Sequence, residues 1–306
     1  MVLLLTDTEV AARLDATTAV DAMRDALRAA HAGTLIAPPR ASATLEGGRL
    51  VMTAGHLADE WYGFRSYDTF GLPSGEQLVV LHDARSGRIR AIAVGEEVGS
   101  RRTGAIGGVA VDALARPDAT TLGLVGAGAQ AWTQVWAAAA VRPLSDVTVF
   151  SRTPSARESF AARVKAELGV PARATDTAAE AVRERDVVIL ATTSTAPVLD
   201  AADLAPGTHV NAVGFKQRGR AEFGPDLPAA AAMIATDSPA QADAYDPPMV
   251  VPAARMRHLG AIVAGDLPGR LGRDEITLFC SVGLAGTEVF LLDRIASTAA
   301  APVRDR

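Results

Sequence analysis

The stretch Thr120 to Gln134, TTLGLVGAGAQAWTQ, constrains this chain more than any other. An apolar run, Leu122 to Val125, meets a Gly126-Ala127-Gly128-x-x-Ala131 turn, which opens into an Ala- and Trp-containing segment with a helical reading. A second apolar run, Val147 to Phe150, follows and ends in Ser151-Arg152-Thr153. Strand, glycine turn, helix and strand is the layout of a dinucleotide site. Gly126 permits the sharp strand-to-helix turn. Gly128 lets the backbone approach a pyrophosphate, and Ala131 lets the helix pack close to its strand. From Ala129 onward the helix N-terminus offers free N–H groups and a partial positive charge to phosphates. A glycine turn of an α/β sheet that binds nothing has the same bare motif. The placement between two strands carries the reading.

The end of the second strand bears on which nucleotide. An acid there holds the ribose 2′-OH of NAD, whereas arginine accommodates a 2′-phosphate. The tip here is Phe150-Ser151-Arg152-Thr153, without an acid. Arg152 can lie against the adenine and pair the phosphate, and Ser151 and Thr153 add hydroxyl donors. NADP(H) is therefore expected rather than NAD(H). The alternative is a solvated loop arginine, with the cofactor choice made elsewhere.

A chain of 306 residues allows one large or two ordinary domains. Its net charge of −5 and the lack of a basic run argue against a nucleic-acid partner. Cys280 is the only cysteine, which excludes an internal disulfide and a Cys-cluster metal site. His31, His56, His82, His209 and His258 are scattered without metal-ligand spacing, so no metal is expected. No uninterrupted apolar run reaches membrane-spanning length. The VLLLTDTE segment after Met1 lacks a basic start and turns acidic at once, so it reads as a strand and a helix cap rather than a signal peptide. A soluble, cytoplasmic protein without membrane contact is the expectation.

Residues 1–116 read as one α+β unit. Asp15 or Thr17 caps a helix running to about Ala32. Strands are expected near Leu50–Thr53, Gly63–Thr69, Gln77–His82 and Ile89–Val94, separated by Gly, Asp and Ser turns. Glu96 to Leu114 reads as a helix with Ala105, Val109 and Ala113 on one face, and Arg116-Pro117-Asp118 as a linker. Residues 117–287 then alternate strands and helices. The strands are Leu122–Val125, Val147–Phe150, Asp186–Ala191, His209–Val213 and Ala232–Thr236. That alternation implies an α/β fold with a doubly wound parallel sheet of the Rossmann type. Glu275 to Thr298 reads as one helix interrupted by Gly283 and Gly286, and residues 288–306 are expected to rejoin the first unit.

The first unit should supply the substrate site. Arg40, Arg65 and Arg102 stand out because a guanidinium fork binds a carboxylate in bidentate fashion. Arg65 lies in an apolar strand pattern, where an unpaired charge is costly. Each arginine either grips a carboxylate or pairs with a nearby acid such as Asp68, Asp83, Glu96 or Glu97. Gln77 either points inward to hydrogen-bond a substrate or has no such part. His56 and His82 are acid/base candidates only by proximity in space. Lys216 follows the strand-end sequence Val213-Gly214-Phe215. The carboxyl ends of strands face the ligand crevice in a doubly wound fold, so Lys216 is a candidate proton donor or binding group. The alternative is a surface lysine in a mobile basic loop.

This layout resembles the ornithine cyclodeaminase/μ-crystallin family over essentially the full length. The resemblance rests on Arg102-Thr103-Gly104-Ala105, GLVGAGAQA at Gly123–Ala131 and FSRT at Phe150–Thr153. It rests also on VNAVG at Val210–Gly214 and DEITLFCSVGLA at Asp274–Ala285. It implies a homodimer with a substrate-binding and dimerising domain beside a Rossmann domain. The implied activities are cyclodeamination of ornithine or lysine, NAD(P)-dependent reduction of imines, or oxidation of amino acids. By that resemblance Arg40 and Arg102 hold the substrate carboxylate, and Arg65 stands where the family usually has a lysine. Thr103 and Gln130 match cofactor-contacting positions, and Thr192, Thr193, Val213 and Ser281 match positions around the nicotinamide and ribose. FSRT resembles the NADPH-using μ-crystallin branch. In the cyclodeaminases an aspartate follows the strand-end glycine; here the nearest polar residue is Lys216. A lysine repels the ammonium of ornithine, and the guanidinium of Arg65 stays protonated. The expectation is an NADPH-dependent reductase of a small carboxylate-bearing imine, run in either direction, with Lys216 and Arg65 as the catalytic candidates. The rivals are a cyclodeaminase that retains its NAD(P) and a non-catalytic NADPH-binding, crystallin-like protein.

Overall fold

A computed structural model describes residues 2–72 and 76–300. The chain divides into two compact units. One runs to Arg102 and resumes at Leu284; the other spans Thr103–Gly283.

The first unit begins with β1 (Leu3–Leu5), α1 (Asp7–Arg13) and α2 (Ala16–His31). Strands β2 (Leu35–Ile36), β3 (Ala41–Leu45), β4 (Gly48–Leu57), β5 (Trp61–Asp68), β6 (Leu78–Asp83) and β7 (Ile89–Val94) follow, and then helix α3 (Glu97–Leu114). The sheet order is β1-β7-β6-β5-β4-β2, with β3 on β4. All pairs are antiparallel except β1 with β7. The start of α1 is a capping box, in which the Thr6 amide donates to Glu9 at 2.8 Å. Asp15 caps α2 by accepting from the Thr18 amide at 2.8 Å. The N-terminus of α3 is capped from far away: Asp7 accepts from the amides of Glu97 at 2.8 Å and Glu96 at 3.1 Å.

The second unit continues with β8 (Thr121–Val125), α4 (Ala129–Val141), β9 (Asp146–Phe150), α5 (Pro154–Leu168), β10 (Ala172–Ala174), α6 (Ala178–Val182), β11 (Val187–Leu190) and β12 (His209–Ala212). Then come β13 (Lys216–Gln217), β14 (Arg220–Ala221), α7 (Asp226–Ala230), β15 (Ala231–Thr236), α8 (Pro239–Asp243), β16 (Arg257–His258), α9 (Leu259–Ala264) and β17 (Ile276–Cys280). Eight of these strands form one sheet in the order β10-β9-β8-β11-β12-β17-β15-β16, all pairs parallel. The order reverses between β8 and β11, which is the switch point of a doubly wound fold. Val187, Val188, Ile189 and Leu190 are all buried, as a parallel sheet covered on both faces requires. One core gathers Leu122, Leu124, Val149, Ile189, Trp132 and Phe160; the other gathers Val188, Leu190, Val210, Phe223, Leu278 and Cys280.

Helix α10 (Thr287–Ala300) belongs to the first unit. It packs on β5, β6 and β7 and against α2. Trp61 meets Phe290 edge-on at 5.9 Å. The entry to α10 turns at Gly286, φ +76°, where a Cβ would stand 2.8 Å from the Gly55 Cα. The expected part of this helix over 301–306 lies outside the described residues.

Two expectations are corrected here. Glu275 to Thr298 is not one helix, because Ile276–Cys280 is the strand β17, paired with β12 and β15. A short apolar run flanked by glycine has no decisive periodicity, and sheet pairing decided it. The units also divide at Arg102/Thr103 and Gly283/Leu284, not at 116/117 and 287/288. The reason is that the later part of α3 packs at glycine distance on α4. A Cβ on Gly104 would overlap Thr133, and one on Gly107 would overlap the Gln134 amide.

That contact belongs to a buried polar chain. Gln134 donates to the Thr103 carbonyl at 3.0 Å and accepts from Asn211 at 3.2 Å. Asn211 also donates to the Gly107 carbonyl at 3.1 Å and bonds His209 Nε2 at 2.8 Å. His209 Nδ1 lies 2.9 Å from Thr277 Oγ1. Burial drives the His209 pKa down to about 3, against the opposing pull of Asn211. The folded imidazole is thus neutral while the unfolded one protonates near pH 6.5. Its contribution is fully present above that pH and is lost as pH falls toward about 3. The loss should total on the order of 4–5 kcal/mol. Denaturant unfolding of His209→Gln against wild type should show a shallower decline between pH 6.5 and about 4.

Candidate functional site

The residues expected to hold a dinucleotide fall on one edge of the second unit's sheet. Gly126 ends β8, Ser151 follows β9, Thr192 and Thr193 follow β11, Val213 follows β12, and Ser281 follows β17. Because these strands are parallel, all five ends are carboxyl ends at the same edge. Gly126 has φ +120°, and a Cβ there would overlap the Ala191 carbonyl, so only glycine makes this turn. Gly128 is the N-cap of α4, and the direction of its missing Cβ is open, with nothing within 4 Å. Gly128 and Ala129 are exposed, so the first amides of α4 face open space beside a strand end. That cradle fits a pyrophosphate. Thr153 is the N-cap of α5, and Arg152 beside it is exposed. Arg157 ties this tip down by donating to the Ser151 carbonyl at 3.2 Å and pairing with Asp176. Thr103, on α3, gives its carbonyl to Gln134.

Lys216 is not a mobile surface residue. It is 4% exposed, and its Nζ donates to the carbonyls of Val213, at 3.2 Å, and Gly214. Its neighbour Glu222 is fully buried and accepts from the Gly214 amide at 2.6 Å. The Thr192 amide at 3.0 Å and the Thr192 hydroxyl at 2.9 Å also donate to Glu222. Burial pushes the Glu222 carboxyl up from its ordinary range, and the Lys216 charge holds against that rise. Burial likewise pushes the Cys280 thiol up to about 12, so it stays protonated. Glu222 was not anticipated; its signal was an acid within the otherwise apolar Ala221-x-Phe223 stretch.

In the first unit the structure gathers all three expected arginines around one face of β5. Arg65 is buried there. Its Nη1 donates to Glu288 Oε1 at 2.8 Å, and its Nε donates to Gln77 Oε1 at 3.0 Å, with Nη2 on the same oxygen. Arg102 Nη2 meets the same Glu288 oxygen at 2.8 Å. Tyr67 lies under the Arg65 guanidinium, 4.3 Å from ring centroid to Cζ, and its hydroxyl accepts from Arg40 at 3.4 Å. Gly99 leaves room for this arrangement, since a Cβ would stand 2.7 Å from Arg65 Nη2.

Arg65 and Arg102 thus share Glu288, on the first turn of α10, as a partner. Glu288 is wholly buried. Burial alone would raise its pKa, but Arg102 and Arg65 hold the carboxyl below its ordinary value, so it is ionised. Gln77 spends its carbonyl oxygen on Arg65 and so positions that arginine. Arg65, expected to act on substrate directly, has its fork taken by Gln77 and Glu288. Thr53, opposite Arg65 across β4 and β5, was also missed. Among the described residues its buried hydroxyl has no hydrogen-bond partner. His82 lies elsewhere, stacked on Tyr62 at 4.7 Å. Among the described residues no His, Cys, Asp or Glu group is arranged to hold a metal ion, and no helix is long and apolar enough to cross a membrane.

Known proteins share this architecture. The chain is 34% identical over 222 residues to a Δ1-pyrroline-2-carboxylate reductase of Bacillus cereus, covering 70% of this chain and 68% of that protein. Its structure superposes on that of Thermococcus litoralis Δ1-pyrroline-2-carboxylate reductase, solved with NADH and L-proline. The TM-score is 0.90 at 29% identity, over 97% of each chain. An archaeal alanine dehydrogenase, solved as a dimer with bound NAD, superposes with a TM-score of 0.87 at 27% identity, over 97% of this chain and 96% of that one. The model of the ornithine cyclodeaminase/mu-crystallin family matches residues 1–301. By its fold, its strand-edge residues and this match, the chain belongs to the ornithine cyclodeaminase/mu-crystallin family.

Proposed function

We propose that this protein reduces the C=N bond of a small imine bearing a carboxylate, using a nicotinamide dinucleotide, with NADPH preferred over NADH. The observation that carries the substrate class is the shared carboxylate. Two buried guanidiniums, Arg65 and Arg102, meet one ionised oxygen of Glu288, and Arg40 stands close by through Tyr67. Three guanidiniums gathered on one face supply the planar donor forks that bind a carboxylate in bidentate fashion. The relatives that reduce Δ1-pyrroline-2-carboxylate support the same class.

The nicotinamide, when bound, supplies a hydride for the imine carbon. The residues of this chain orient and polarise. Arg40 and Arg102 hold the carboxylate and so fix the carbon that is reduced. Arg65, locked by Gln77 and Glu288, sets the pose of Arg102 and adds fixed positive charge. Thr53 offers a hydroxyl to a substrate polar group. Hydride on carbon and a proton on nitrogen complete the change from C=N to CH–NH. Gly126, Gly128, Ala129 and Gln130 cradle the pyrophosphate. Thr103, Thr192, Thr193, Val213 and Ser281 serve the nicotinamide and its ribose. The NADPH preference rests on Ser151-Arg152-Thr153, where an exposed arginine stands beside a helix N-cap and no acid replaces it.

The protein also pairs with a second copy through the outward face of the first sheet. That face leaves Ile36 57%, Leu50 39%, Met52 45% and Tyr62 39% exposed, an apolar set that favours burial against another copy.

The test of the reductase reading is NADPH oxidation with cyclic imine carboxylates, Δ1-pyrroline-2-carboxylate first. Turnover is expected; NADPH binding without oxidation across the set would refute it. Arg152→Ala should weaken NADPH at least tenfold more than NADH, about 1.4 kcal/mol, in a binding titration. Glu288→Gln leaves two buried guanidiniums without their carboxylate. It should cost about 3–5 kcal/mol of stability by denaturant unfolding. That cost should shrink as pH falls below 4.5, the ordinary glutamate value, because the unfolded glutamate protonates there first and the wild-type contribution is lost as pH falls on through the lower folded value.

A further inference from the structure

We infer that Lys216 and Glu222 are positioning residues that clamp the carboxyl ends of β11 and β12 together, and that Lys216 delivers no proton. The Gly214 peptide group and its neighbours are gripped from both sides. The Glu222 carboxylate takes the Gly214 amide on one oxygen and the Thr192 amide and hydroxyl on the other. The Lys216 ammonium takes the Gly214 and Val213 carbonyls. The Thr192 hydroxyl in turn accepts from the Ser194 amide at 3.2 Å. The Glu222 backbone closes the unit, donating to the Phe215 carbonyl at 2.8 Å and accepting from the Val198 amide at 2.9 Å. No side chain fits at Gly214, because a Cβ would fall on the Glu222 carboxylate and the Thr192 carbonyl.

The physical reason for the clamp is the end of the ladder. The last bond between the two parallel strands runs from the Val213 amide to the Leu190 carbonyl at 2.8 Å, and the backbone groups beyond it need other partners. A buried carboxylate serves the donors and a buried ammonium serves the acceptors. Each charge also relieves the burial cost of the other. To deliver a proton, Lys216 would have to leave two carbonyls and the vicinity of Glu222 at once. The two loops so fixed carry Thr192, Thr193 and Val213, which the proposed function assigns to the nicotinamide. The clamp rests on that assignment only for its effect on turnover.

Three variants test the inference: Lys216→Met, Lys216→Arg and Glu222→Gln. Three readouts apply: NADPH and NADH binding by fluorescence titration, amide hydrogen exchange at Thr192 and Gly214, and the pH profile of kcat with Δ1-pyrroline-2-carboxylate. Lys216→Met should weaken both dinucleotides roughly tenfold and speed exchange at Gly214 by a similar factor, as loss of buried hydrogen bonds predicts. Lys216→Arg should recover most of both, and the kcat profile should keep its shape in each variant. Glu222→Gln can accept on one side only, so one amide of the pair loses its partner and the same two readouts should move. Wild-type affinity and exchange in Lys216→Met, with kcat reduced more than roughly 100-fold and one limb of the pH profile gone, would make Lys216 the proton donor. Unchanged exchange in Glu222→Gln would also overturn the clamp, and that arm stands even if Lys216→Met fails to fold. Should the wild type turn over no imine, the proposed function falls, while the affinity and exchange readouts still decide the clamp.

Discussion

A parallel sheet covered on both faces leaves one place for a ligand, the edge where its strands end. Every side chain along β11 is buried on one face or the other, so the strand interiors have no chemistry to offer. At the carboxyl edge the ladder stops, and amides and carbonyls there need new partners. One open place is the start of α4, whose exposed first amides fit a phosphate. Elsewhere the protein supplies buried charges. Asp237, at the end of β15, accepts from the amides of Val282 and Gly283 at 2.8 Å each. Glu222 does the same for the ends of β11 and β12. Fully buried acids at this edge are therefore the counterpart of helix caps: they stiffen the rim to which the proposed function assigns the nicotinamide.

The first unit meets the converse problem. Its antiparallel sheet buries Arg65 on the face that also receives α10, so the helix must bring a counter-charge with it. Glu288 on the first turn of α10 does this, and Arg90–Asp293 at 2.8 Å and Arg294–Asp25 at 3.0 Å fasten the helix further along. The fork of Arg65 explains why arginine suits this place. One guanidinium reaches Gln77 and Glu288 in two directions, a geometry that a lysine ammonium on a flexible stem does not hold. Docking of α10 and alignment of Arg65 and Arg102 are thus the same set of contacts.

What the sequence made legible was local. The Gly126 turn, the cap at Asp15 and the five strands expected in the second unit follow from spacing and neighbouring residues, and these are present. Contacts between distant segments were not legible. Glu288 lies 223 residues from Arg65, and Asp7 caps a helix about 90 residues away. No local pattern announces either pairing. The run Ile276–Cys280 was ambiguous because four apolar residues and Thr277 suit a strand or a buried helix equally. Its two partner strands settled the matter. The division inside α3 was hidden for a similar reason: a continuous helix shows no break in pattern, and only the close approach of Gly104 and Gly107 to α4 assigns its later part to the second unit.

The chemistry follows from which protons can move. The guanidiniums of Arg40, Arg65 and Arg102 hold theirs at any accessible pH. Glu288 is ionised between two of them, and the Lys216 ammonium is spent on backbone carbonyls. Around a carboxylate so held there is fixed charge and little exchangeable hydrogen. On the proposed reading this suits an imine that takes its proton from water before it is bound, since the resulting iminium needs only orientation and a hydride. The opposite task, stripping a proton from an ammonium, needs a base of moderate pKa near the nitrogen. On that reading arginines and one ionised glutamate contribute orientation and fixed charge, and Arg65, where the resemblance implies a lysine, withdraws one more exchangeable proton from the site.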